Sequence, residues 1–197
     1  MYCAYRGFDG EETSMDAETL RKTQTPLKER YRSDAKAALV TLKARGEIDD
    51  TRIACKVETG RALAIAGLHP ATGGTGMELC SGDMLLEALV ACAGVTLKAV
   101  ATALDIPLRS GYVLAEGDLD FRGTLGVAKE APVGFAAIRL DIFVDSDASH
   151  EKLGQLLKLT ERYCVVYQTI RGGTRVDIRM SCDKVPTVSA STRGSAA

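Results

Sequence analysis

The run GDMLLEALVACAGVTLKAVATAL, residues 82–104, limits what this chain can fold into more than any other segment. Apolar residues cover most of its circumference when it is wound as a helix. Such a helix needs burial on several sides rather than along one stripe. Glu87 and Lys98 interrupt the apolar run. It therefore reads as the central helix of a folded body and not as a membrane span. Ser81 is the expected N-cap and Asp83 lies in the first turn, where the helix dipole favours a carboxylate. Asp105-Ile106-Pro107 is the expected stop.

The rest of the chain supplies what packs around that helix. Residues 16–45 read as a charged helix with Asp16 as N-cap, a split or kink at Pro26 and a stop at Gly46. Residues 51–67 alternate as strands. Ile53, Cys55 and Val57 share a face, and Thr59-Gly60 turns the chain so that Arg61 opens the second strand. LHPATGGTGMELCSG is a glycine-rich loop. Two strands are expected at 111–122 and 136–144, separated by the loop GTLGVAKEAPVG. Ser149–Tyr163 reads as an amphipathic helix carrying Leu153, Leu156, Leu157 and Thr160 on one face, with Cys164 at its end. Residues 175–180 alternate, with Val176, Ile178 and Met180 inward. Hairpin-like strand groups separated by helices predict an α+β fold with an antiparallel sheet. The expected organisation is a helical extension over 1–50, a main domain over 51–182 and a flexible tail over 183–197.

Composition narrows the function. The chain has 197 residues, 25 basic and 26 acidic, for a net charge of −1. That balance offers nothing to attract nucleic acid. MYCAYRGFDGEETS lacks a basic start followed by an apolar core, so no signal peptide is expected. The expected location is the cytoplasm, with reduced thiols and no membrane partner. Six cysteines, at 3, 55, 80, 92, 164 and 182, form no CxxC pair. Neither a disulfide scaffold nor a zinc site is expected. GxxxxGK[ST] and GxGxxG are both absent, so no nucleotide cofactor is expected. His69 and His150 have no Ser or Cys partner nearby in sequence, which argues against a Cys–His hydrolase. Arg171, Arg175 and Arg179 read as a solvated strand face.

Thiol chemistry is what remains. Cys92 shares its helical face with Leu85, Ala88, Leu89, Thr96 and Ala99. That apolar setting alone raises a thiol pKa and makes it inert. It also lies too far along the helix to feel the N-terminal dipole. A reactive Cys92 thus requires a charge brought from elsewhere in the fold. Cys164 sits near a helix end, flanked by Tyr163 and Tyr167, where access or simple core packing are both open. Cys80, just before the long helix, is a rival, either as a dipole-favoured thiolate or as a packing residue. Glu87 lies about 140° around the helix from Cys92, and Asp83 is on another face again.

LLEALVACAG on a central helix, ERYCVV after an amphipathic helix, and Thr59-Gly60-Arg61 on an early strand together resemble the OsmC/Ohr family of osmotically inducible and organic hydroperoxide resistance proteins. The resemblance covers roughly residues 51–182. It implies an α+β fold of two antiparallel sheets packed around two central helices, assembled as an intertwined homodimer. It implies a thiol peroxidase that needs no cofactor, acting on organic hydroperoxides and regenerated by an external dithiol. Carried onto this chain, Cys92 is the peroxidatic thiol, Cys164 the resolving thiol and Arg61 the cation that holds Cys92 as thiolate. Gly82 stands where the family has a glutamate that bonds this arginine. The alternative reading is a family member that binds a small apolar ligand, or serves as a structural dimer, without peroxidase activity.

Overall fold

The computed structural model describes residues 16–39, 41, 44, 46–48, 54–58 and 63–180. Helix α1 (Ala17–Ser33) starts at Asp16, whose carboxylate accepts from the Thr19 N–H at 2.8 Å. It is shorter than the expected 16–45 span. Asp34 takes extended backbone and caps a separate 3-10 turn, Ala35–Ala38, through the Lys36 N–H. Pro26 stays inside α1, and Gly46 opens a strand instead of closing a helix.

Strands β1 (Gly46–Ile48), β2 (Ala54–Glu58) and β3 (Leu63–Gly67) pair antiparallel in sequence order. The β2–β3 register, Ala54↔Gly67 through Glu58↔Leu63, is the predicted hairpin. Its turn and Arg61 lie outside the described residues. The glycine-rich loop keeps one 3-10 turn, Pro70–Thr72, and ends in β4 (Leu79–Cys80), which pairs parallel with β3.

Helix α2 (Ser81–Ala103) is the long apolar helix. Its N-cap is Cys80, not Ser81, and Cys80 makes no side-chain cap bond. It stops where expected. Asp105 adopts φ 53°, and the Ile106 N–H closes back on the Ala101 carbonyl at 2.9 Å. Burial within the chain is narrower than the apolar circumference suggested. Leu89, Ala93, Leu97 and Ala101 form one buried stripe, while Val95 is 73% exposed. Among the described residues α2 is the one helix long and apolar enough to cross a bilayer by length and composition.

Strand β5 (Ser110–Leu119) leads to a short helical turn α3 (Phe121–Thr124) and then to β6 (Phe135–Asp145). The two strands pair antiparallel along almost their whole length. Tyr112 opposes Phe143, and the rings stack with centroids 4.6 Å apart. Arg139 reaches across to Asp118, and Arg109 clasps Asp145 and Asp147. Gly117 is required where Phe135 folds over the ribbon, because a Cβ there would stand 2.4 Å from the ring.

Helix α4 (His150–Tyr163) is the predicted amphipathic helix. Ser149 caps it through the Lys152 N–H, and Glu151 lies in its first turn. Its Leu156 packs with Leu97, Ala101 and Ile106 as the core between α2 and α4, with Leu153, Ile142 and Val144 around them. Leu157, expected on the same face, is exposed. The chain then turns at Cys164 into a further helix, α5 (Val165–Gly172), which ends at Gly173 in left-handed backbone. The predicted strand 175–180 is irregular instead, with Val176, Ile178 and Met180 79%, 92% and 89% exposed. Among the described residues no neighbouring strand supplies a ladder for it. The tail from 181 onward lies outside the described residues.

Candidate functional site

Cys92 sits midway along α2, on the turn between Leu89 and Thr96, and is half-buried. Cys164 is 1% exposed. It is both the C-cap of α4, where its N–H bonds the Thr160 carbonyl, and the N-cap of α5, whose first helical bond runs from the Gln168 N–H to the Cys164 carbonyl. The chain reversal at Cys164 brings the start of α5 onto the middle of α2. There the two free thiols are close enough for each to act on the other's ionisation.

The first N–H groups of a helix have no partner within it. In α5 three of them influence the sulfurs: those of Val166 and Val165 favour ionisation of Cys92, and those of Tyr167 and Val166 favour ionisation of Cys164. The surroundings divide the pair. For Cys92, burial is the strongest single influence and pushes its thiol up. The Val166 N–H, the Cys164 thiol, the Val165 N–H and the Thr96 hydroxyl together outweigh it and hold the thiol below its ordinary range. For Cys164, burial again leads, and the neighbouring Cys92 adds to it against the Tyr167 and Val166 N–H groups. That thiol is held above its ordinary range. The first proton therefore leaves Cys92, and the Cys164 S–H donates to the resulting thiolate.

Inertness of Cys92 is what its apolar helix face alone would give. The compensating partial charge comes from a helix start that periodicity in α2 could not reveal. The signal for α5 was present: Val166, Tyr167 and Ile170 recur at helical spacing before the stop Gly172-Gly173. Thr96, noted on the Cys92 face, is the hydroxyl that reaches the sulfur.

The other candidates fall elsewhere. Arg61 lies outside the described residues. Cys80 is twelve residues before Cys92, about 18 Å along the helix axis. It faces a cavity of 370 Å³ together with His69 and Asp83. Glu87 is exposed on α2. A Cβ on Gly82 would meet Phe135 at 3.4 Å, Leu119 at 3.5 Å and the Cys80 sulfur at 3.6 Å. His69 is a turn residue: its Nδ1 accepts from the Ala71 N–H at 3.0 Å and its ring stacks on Phe121. Arg175 pairs with Asp177 off any strand, and Arg171 lies over the Tyr167 ring. Among the described residues no three His, Cys, Asp or Glu side chains cluster to hold a metal ion.

The fold and the sulfur pair define an α+β protein with one thiol on its central helix and a second brought beside it from the α4–α5 junction. The chain belongs to the OsmC-like protein family, whose model matches residues 74–179, just over half its length. Solved structures agree at the level of fold. An OsmC-like protein from Mycoplasma pneumoniae superposes with TM-score 0.56 at 16% identity, covering 68% of this chain and 89% of that one. An organic hydroperoxide resistance protein OsmC from Legionella pneumophila gives 0.53 at 18% identity, covering 68% and 91%. An organic hydroperoxide resistance protein from Elizabethkingia anophelis gives 0.51 at 15% identity, covering 68% and 90%. A comparison with curated proteins finds no match.

Proposed function

We propose that this protein is a thiol-dependent peroxidase that reduces organic hydroperoxides, working as a homodimer in the cytoplasm. The observation that carries the reading is the divided sulfur pair: a thiol held low and a thiol held high, neighbours at the start of α5. A peroxidatic cysteine must be a thiolate, and its resolving partner must be near enough to condense with it.

The Cys92 thiolate attacks the distal oxygen of ROOH. The O–O bond breaks, Cys92 becomes a sulfenic acid, and the departing alkoxide takes the proton of the adjacent Cys164 thiol. Cys164, now a thiolate, attacks the Cys92 sulfur. An S–S bond forms, and hydroxide leaves and is protonated to water. An external dithiol returns both cysteines to thiols by exchange and is itself oxidised to a disulfide. Arg61 is the cation assigned by family resemblance to steady the Cys92 thiolate, in addition to the N–H groups of α5. The apolar turns of α2 favour an organic over a small polar peroxide.

A second copy of the chain is the partner. Two features support it: the exposed remainder of the α2 surface, and the alternating apolar segment 176–180, beside which the described residues place no strand. Hydroperoxide-dependent loss of thiols tests the activity. Cys92→Ser should abolish it, and undiminished peroxide consumption by that variant overturns the assignment. Cys164→Ser should accumulate a Cys92 sulfenic acid that a dimedone-type probe traps.

A further inference from the structure

The break between α4 and α5 takes a backbone acceptor away from its helical donor. Cys164 holds extended backbone, φ −72° and ψ 107°, so the ladder of α4 stops at the Cys164 N–H, which bonds the Thr160 carbonyl at 2.9 Å. The next carbonyl, that of Glu161, would accept from the Val165 N–H if the helix ran on. It accepts instead from the side-chain amide of Gln168, with Nε2 2.7 Å from the oxygen. The Gln168 backbone N–H bonds the Cys164 carbonyl at 3.0 Å, as the first rung of α5. One residue thus holds both sides of the chain reversal: its main chain belongs to α5 and its side chain closes α4. The Val165 N–H is released from the Glu161 carbonyl and favours the Cys92 thiolate.

We propose that Gln168 is a positioning residue of the sulfur pair. Its amide stands in for the Val165 N–H at the Glu161 carbonyl, which lets the helix break at Cys164 and turns the first N–H groups of α5, with the Cys164 sulfur, toward Cys92. Without that donor, the end of α4 recovers its lost bond most directly by drawing the Val165 N–H back to the Glu161 carbonyl. The first turn of α5 then shifts away from Cys92, and the thiolate loses part of its support. Gln168 acts through the helix start rather than on either sulfur. Its bearing on the thiol stands apart from the peroxidase reading, and its bearing on turnover rests on that reading.

The test follows Cys92 in the reduced full-length protein. Alkylation by iodoacetamide is measured peptide by peptide, from the pH where the thiol is partly ionised to the pH where it is fully ionised. Gln168→Met keeps the length of the side chain and removes the donor. It should move the alkylation profile to higher pH, lowering the rate about threefold in the partly ionised range, the worth of one exposed hydrogen bond, and leaving the high-pH plateau unchanged. Gln168→Ala should do the same. The charged side chains on the helices packed there, Glu87 and Lys98 of α2, Glu161 and Arg162 of α4 and Arg171 of α5, stay as they are in both variants. Thr169→Gly loosens α5 without removing the amide and should leave the profile in place. An unmoved profile in Gln168→Met and Gln168→Ala overturns the proposal, as does a change confined to the plateau, which would mean altered access alone. An equal shift in Thr169→Gly also overturns it, because helix stability and not this amide would then place the N–H groups. In Gln168→Met and Gln168→Ala, kcat/KM for tert-butyl hydroperoxide should fall about threefold over the same pH range. A shifted profile in a protein whose wild type consumes no peroxide removes the peroxidase reading and keeps the role of Gln168. Peroxide turnover with an unmoved profile removes that role and keeps the peroxidase.

Discussion

Replacing Val165 with proline isolates the contribution of α5 to the Cys92 thiolate. Val165 is the first residue of the helix, where proline is well tolerated because that N–H has no helical acceptor. The preceding residue, Cys164, already holds φ −72°, ψ 107°, the extended backbone that a following proline demands. Val165→Pro should therefore leave α5 standing and remove one N–H that favours the Cys92 thiolate. A hydrogen bond to a charged group is worth roughly 1.5–3 kcal/mol. Cys92 is only half-buried and keeps its Val166, Thr96 and Cys164 donors, so a loss of about 1.4 kcal/mol is expected, a tenfold smaller thiolate fraction. Below the ordinary thiol range, where Cys92 is only partly ionised, its rate of alkylation by iodoacetamide should fall about tenfold, followed peptide by peptide. Val165→Ala, which keeps the N–H, is the control and should be unchanged. If Val165→Pro retains its helical circular dichroism and Cys92 alkylates at the wild-type rate, the helix start is not what lowers this thiol.

The same alkylation experiment across pH should label Cys92 at lower pH than Cys164, since the first is held below and the second above the ordinary thiol range; the reverse order refutes the division of the pair. The linkage has opposite signs. Cys92 adds stability as pH rises through its lowered pKa toward the ordinary thiol range, and Cys164 loses it as pH rises from that range through its raised one. Cys92→Ser should therefore be relatively less destabilising at lower pH, as read by the melting temperature of wild type and variant. Leu156→Ala empties the most buried large side chain between α2 and α4 and should cost about 2–4 kcal/mol in denaturant unfolding; a cost below about 1 kcal/mol would mean that this core is not where the stability lies. Ile178→Lys should shift the protein toward monomer in sedimentation velocity while leaving its helices intact, and an unchanged dimer would remove segment 176–180 from the interface.

Much of the secondary structure was legible in order along the chain. Ser149 and Glu151 announced the start of α4, the apolar run announced α2 to within a residue, and Thr59-Gly60 announced the hairpin of β2 and β3. These are local matters of capping, periodicity and turn chemistry, which operate over a few residues. Segment 175–180 shows the limit. Its alternation is real, but a strand exists only where a neighbour supplies the ladder, and none among the described residues does. The charged span 16–45 shows another, since Asp34 found a local bond to the Lys36 N–H that ends the helix early.

For the site, sequence by itself determined that Cys92 sits in the middle of a helix and that Cys164 sits at a helix end. It also determined that the face carrying Cys92 is apolar. Tertiary structure alone decided that the two sulfurs meet, and that the free N–H groups beginning α5 lie against Cys92. The physical reason is that periodicity reports which face of a helix is apolar but not what packs on it. A chain reversal at one residue, Cys164, is enough to change a buried thiol into one held below its ordinary range.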